Sequence, residues 1–234
     1  MADGIVVSRH HGNALLATLG VLLAVVITVV LIGVGEVAFQ RIGFGSLEYT
    51  LILVGTLVGS AINIPVGHAT STEPLVELDG VRVFGLYYRV PRITGYRHTY
   101  TIIAVNLGGA VIPVLVSVYL LATHTNLIIS ATVGWVVTAF LVHIMARKVR
   151  GVGIVTPALL PPIVAAVMAY LAAPASPAIV AYVSGTIGTL VGADLTNLRG
   201  IADLGAPIAS IGGAGTMDGV FLTGLIAVLL LPLH

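Results

Sequence analysis

The chain contains no cysteine and carries very little charge. The first absence excludes disulfides, thiolate catalysis and cysteine-ligated metals. The second excludes an ordinary water-soluble domain. Only 8% of the 234 residues are charged, against roughly 25% in soluble globular proteins. With 58% of the residues hydrophobic, a large share of the apolar side chains must lie on the surface, and that surface must face lipid. A net charge of +1 offers no positive field to a nucleic acid. Aromatics are scarce at 6%, and the long apolar runs lack the alternation, in segments of about ten residues, of an outer-membrane barrel. Glycine (28) and proline (11) are plentiful, which suits close helix packing in a membrane.

A bilayer core of about 30 Å needs about 20 apolar residues as helix. About seven stretches meet that demand by their apolar character, giving an all-α polytopic fold in one membrane domain. They run from Ala14 to Gly35, Leu47 to Val66, Tyr100 to Ala122, Leu127 to Ala146, Ile154 to Ala173, Ala178 to Ala193 and Thr216 to Leu233. The first is too long for the apolar region of a signal peptide and is read as a span. The sixth is short, and the fifth carries Pro157, Pro161 and Pro162 near its start.

Positive charge orients the chain in the cell membrane. With the N-terminus cytoplasmic, Arg9, Arg82, Arg89, Arg92, Arg97, Arg147, Lys148, Arg150 and Arg199 all fall inside, and only Arg41 falls outside. The one sizeable polar region, Glu73 to Arg97, contains Asp79-Gly80 between two apolar-rich runs. That pattern predicts a short cytoplasmic β-hairpin over 73–97 between spans two and three. It is either a structured loop or an edge that pairs with an extended peptide.

Ionisable groups inside a membrane are rare and default to a functional reading. Asp194 stands at the cytoplasmic end of span six, where the partial negative charge of a helix C-terminus opposes a carboxylate. A proton, a cation, a hydrogen-bond network or interfacial water must offset it. Asp218 enters span seven behind the glycine-rich run Gly212-Gly-Ala-Gly-Thr216, where Gly213 and Gly215 permit close backbone approach. Its plain reading is a first-turn acid complementing the dipole, with Thr216 as N-cap. Two carboxylates at one depth tend to share a proton, which suits activation of water, cation binding or proton relay.

The linker from Leu195 to Gly215 is too apolar for an ordinary loop and too broken for a span. It is expected to be re-entrant or interfacial, with Arg199 and Asp203 on its solvated side. Asn63, Asn106 and Asn197 gather towards the same end, as helix-helix hydrogen bonders or as part of a site. Gly55 and Gly59 form a packing face, and His143 reads as interfacial. No histidine or carboxylate spacing supports a metal site, and no cofactor is expected.

At Asp194, Asp218 and Pro157-Ala158-Leu159 the chain resembles the intramembrane aspartyl proteases of the presenilin and signal peptide peptidase type. That resemblance implies catalytic Asp194 and Asp218, a site lined by Pro157, Ala158 and Leu159, and a membrane-peptide substrate. The chain has Ala193-Asp194 where that family has Tyr-Asp. Two residues are inserted before Asp218, and the Pro-Ala-Leu element precedes both acids. As a whole it also resembles a prokaryotic multispan family of unknown function, common in archaea. Three functions stay open: an aspartyl-type intramembrane endopeptidase, a transporter or channel for a cation or small solute, and a non-catalytic membrane partner. The lipid bilayer is the expected partner in each case.

Overall fold

The computed structural model describes residues 29, 32–83, 86–149, 153–200, 208–213 and 219–232. These residues are mostly helical and include two small sheets. Helix α1 covers residues 32–41 and α2 covers Ser46–Gly59. Strands β1 (Asn63–Val83) and β2 (Leu86–Asn106) follow. A wide π turn, Leu107–Val111, leads into α3 (Ile112–Thr123). Next come α4 (Ile128–Met145), the short strands β3 (Arg147–Val149) and β4 (Gly153–Val155), and α5 (Leu160–Ala172). Helix α6 (Pro177–Thr189) opens into a π turn at Leu190–Asp194 and a tighter 3-10 stretch at Leu195–Gly200. Strand β5 (Ile208–Ile211) and α7 (Gly219–Leu229) complete the order.

Proline positions explain several helix starts. Pro161, Pro162 and Pro177 sit in first turns, where a missing N–H costs nothing. The fifth helix therefore begins at Leu160, while Ile154 belongs to β4. Helix α2 stops at Gly59 rather than Val66, because Pro65 and its β-branched neighbours favour extended backbone. Tyr100–Asn106 is likewise strand, not the first turns of span three. The sixth helical run is longer than expected. Pro177–Leu198 is 22 residues, since the backbone stays helical by widening at Leu190–Asp194 instead of ending at Ala193.

The all-α expectation is corrected by the strands. β1 and β2 pair antiparallel along their whole length, and β5 adds to β2 in parallel, giving the order β1-β2-β5. The hairpin thus runs from Asn63 to Asn106 rather than over 73–97. Asp79 and Gly80 are not its turn, because they pair with Val90 and Arg89 inside the ladder, which continues to Val83 and Leu86. A reversal at 79–80 would leave the end of the second strand unpaired. Within the linker expected to be re-entrant or interfacial, the described parts of 195–215 are the 3-10 stretch, β5 and a turn through Gly212 and Gly213.

Helix α6 is the axis of the bundle, buried continuously from Ile179 to Thr186. Small residues let its neighbours approach: Gly134 of α4 meets Ser184, and Gly224 of α7 meets Thr186 and Tyr182. Gly59 packs on Gly108, so the predicted glycine face of α2 is a packing face. At one end Phe39 forms an aromatic hub with Phe44, Tyr49, Tyr182 and Phe221, at centroid distances of 5.1–6.2 Å.

The described helices carry apolar residues on their outer faces. Large apolar side chains project outward at helical spacing: Leu47, Leu51, Val54 and Val58 on α2, and Ile129, Val133, Val136, Phe140 and Ile144 on α4. Thr125–Met145 and Pro177–Leu198 are the two helices, among the described residues, long and apolar enough to cross a membrane.

Candidate functional site

Two π-widened helix turns meet the base of the sheet. At the entry to α3, Asn106 is 1% exposed and spends every polar atom of its amide on its surroundings. Its Oδ1 accepts from the Gly109 N–H at 2.7 Å, which caps the widened turn. Its Nδ2 donates to the Ser60 carbonyl at 2.8 Å and to Asn63 Oδ1 at 3.1 Å. Asn63 also accepts from the Ser210 hydroxyl of β5 at 2.6 Å. One chain of polar groups therefore ties the exit of α2, the end of β2 and the strand β5 together.

Two residues beyond Ser210 the same segment reaches Asp194. The Gly212 N–H donates to Asp194 Oδ2 at 2.7 Å. That turn needs glycine: Gly212 and Gly213 have φ of +85° and +89°, a region L side chains rarely adopt. A Cβ on Gly212 would also press on Ala110 at 2.6 Å. Beneath the polar groups, Ala110, Leu190, Ile211 and Val220 pack as a small apolar cluster of their own.

Asp194 is half-buried at the C-terminal end of α6, where the helix carbonyls already carry negative charge. Two of those carbonyls are satisfied by local side chains. Thr196 Oγ1 donates to the Gly192 oxygen at 2.8 Å, and Asn197 Nδ2 donates to the Gly192 and Ala193 oxygens at 3.2 and 2.9 Å. The Thr196 hydroxyl also lies 2.8 Å from His143 Nδ1, within hydrogen-bond distance. The carboxylate is offered one backbone N–H and no cationic partner among the described residues. Also among the described residues, no cluster of three or more His, Asp or Glu stands ready to hold a metal.

Several predicted residues converge: Asn63, Asn106, Asp194 and Gly213 belong to one region. Asn197 sits close by in sequence but acts on helix carbonyls. Pro157, Ala158 and Leu159 are exposed just before α5, and Pro157 lines a cleft whose lining does not include Asp194. Asp203, Gly215, Thr216 and Asp218 lie outside the described residues. Ser210, Gly212 and the Asn106–Gly109 cap are members of the site that the sequence reading misses. The Gly212-Gly213 pair, following a hydroxyl within an apolar linker, is the signal that marks them.

A family model described as "Protein of unknown function (DUF1614)" matches residues 57–230, and the chain belongs to that family. The match brings no protease description with it. Neither a curated protein nor a solved structure matches the chain.

Proposed function

We propose that this DUF1614 protein is a multi-pass membrane protein that binds a cation or small polar solute at Asp194 and moves it across the bilayer. The observation that carries the reading is the meeting of two π-widened helix turns and a glycine turn beside a carboxylate without a cationic partner among the described residues. Irregular helix turns beside an intramembrane acid are a common feature of the sites that membrane transporters build. The Asp194 carboxylate is a hard oxygen donor, which suits a proton or a hard cation.

The bilayer itself is supported by the outward stripes of large apolar residues on α2 and α4. Helix α2, at 14 residues, is about 21 Å long, and the exposed apolar Ile64, Val66, Ile102 and Ile208 of the sheet base extend that belt. About seven crossings, with the N-terminus and hairpin cytoplasmic, agree with Arg41 and Arg147 lying at opposite ends of the bundle. Because the chain has no cysteine, single cysteines at Gly45, Val83 and Ser176 report sidedness directly. Val83 should be labelled from the cytoplasm, and the other two from outside.

The decisive experiment is flux. The purified chain in liposomes should dissipate a gradient of protons or of one monovalent or divalent cation, and Asp194→Asn should abolish it. Flat traces across those ions for the intact protein would overturn the reading. Cleavage of a membrane peptide that is lost in both Asp194→Asn and Asp218→Asn would replace it with the carboxylate-pair protease.

A further inference from the structure

The apolar stripe on α4 does not end in polar surface. Its last member, Ile144, is also a wall of a cleft of about 440 Å³ between the end of α4, the β3–β4 ribbon and the approach to α5. Val149, Val155 and Pro157 supply further apolar wall, and Arg147 and Thr156 are its polar members. Strand pairing explains the grouping. Arg147 stands opposite Val155 in the antiparallel ladder, and Val149 is two residues on, so all three share one face. Lys148, paired with Ile154, belongs to the other face.

The lining contains no acid, and Arg147 is exposed, with no hydrogen bond or ion pair among the described residues. A guanidinium suits a phosphate oxygen pair geometrically, and the Thr156 hydroxyl adds a second donor. A soluble anion would have no use for walls of Ile144, Val149 and Val155 that run on into the stripe along α4. An amphiphile with a phosphate at its head matches both features.

We infer that this cleft is a binding site for an anionic phospholipid, with its headgroup phosphate on Arg147 and one acyl chain laid along Ile144 and the α4 stripe. The site rests on the chain lying in a bilayer, and it is independent of transport at Asp194. It faces the leaflet that the basic residues select, which is also the leaflet rich in anionic lipid.

The test uses the full chain in phosphatidylcholine vesicles carrying a trace of spin-labelled phosphatidylglycerol or spin-labelled phosphatidylcholine. The phosphatidylglycerol label should show a larger motionally restricted fraction. Arg147→Ala should cut that preference about fivefold, and Lys148→Ala should cut it less. Val155→Trp, which fills the cleft without touching charge, should remove the restricted fraction even if the arginine variant fails to fold. Asp194→Asn should leave the preference unchanged, so failure of transport and failure of this site are separable. Equal restriction of both labels, or a preference untouched by Arg147→Ala and Val155→Trp, would overturn the inference. So would displacement of the label by inorganic phosphate, which would make the cleft a site for the free anion.

Discussion

Two helix C-termini in this bundle meet an ionisable side chain, with opposite signs. At one end Arg41 donates to the Val228 carbonyl in the last turn of α7 at 3.0 Å and to the Leu231 carbonyl just beyond it at 3.1 Å. A cation on the negative end of a helix is electrostatically favourable, and it adds charge-assisted hydrogen bonds to the carbonyls there. At the other end Asp194 puts a carboxylate on the negative end of α6, which is unfavourable by the same reasoning. The first pairing needs only stability to explain it. The second is offset by the Gly212 N–H and by side chains that occupy the neighbouring carbonyls, and it is the place where a positive ligand has most to gain.

The contrast can be broken most sharply at Asp194. Asp194→Asn should remove flux in liposomes altogether while changing unfolding stability by less than about 1 kcal/mol, and in the stabilising direction, since it deletes a misplaced charge. A large loss of stability with intact flux would reverse the two roles. Next in size, Asn106→Ala should cost about 2–4 kcal/mol in detergent unfolding, combining a lost helix cap with buried groups left unpaired.

Gly212→Ala should cost about 1–3 kcal/mol for its left-handed backbone and lower flux as well, because the N–H that holds Asp194 moves with it. Arg41→Ala should cost about 1–2 kcal/mol through the lost charge-assisted hydrogen bonds at the end of α7 yet leave flux per folded molecule unchanged, which is the mirror image of Asp194→Asn. Smallest of all, Ser210→Ala should cost about 1 kcal/mol and shift the apparent affinity for the transported ion more than its maximal rate.

How much of this is readable beforehand follows from which interactions leave local marks. The stripe on α4 is legible because helix packing repeats every few residues, and Ile128–Met145 lies where hydropathy puts it. The strands are not legible in that way. Thr101-Ile-Ile-Ala-Val105 is as apolar as a span, and hydropathy alone does not separate a buried strand from a helix. Its β-branched content, read against the Asn106-Leu-Gly-Gly109 cap that follows, is the better signal. Asp79-Gly80 misleads because a strong turn dipeptide is only a local preference, whereas register is settled by the whole ladder. Asp194 and Asn63 stand out as polar groups in apolar surroundings, so half of the site is visible by exclusion. Ser210 and Gly212 are ordinary residues until the fold brings them to partners far along the chain.

That distance has a consequence for biogenesis. The bond from Ser210 to Asn63 spans 147 residues, and at about 5–20 residues per second of synthesis the strand that completes the site emerges roughly 7–30 s after its partner. Through that interval the early helices and the long ribbon are already made, while β2 presents an open edge where β5 will dock. β5 therefore acts as a late keystone: a truncated or stalled chain lacks the strand that covers the β2 edge and the turn that holds Asp194, a plain structural difference between unfinished and finished copies.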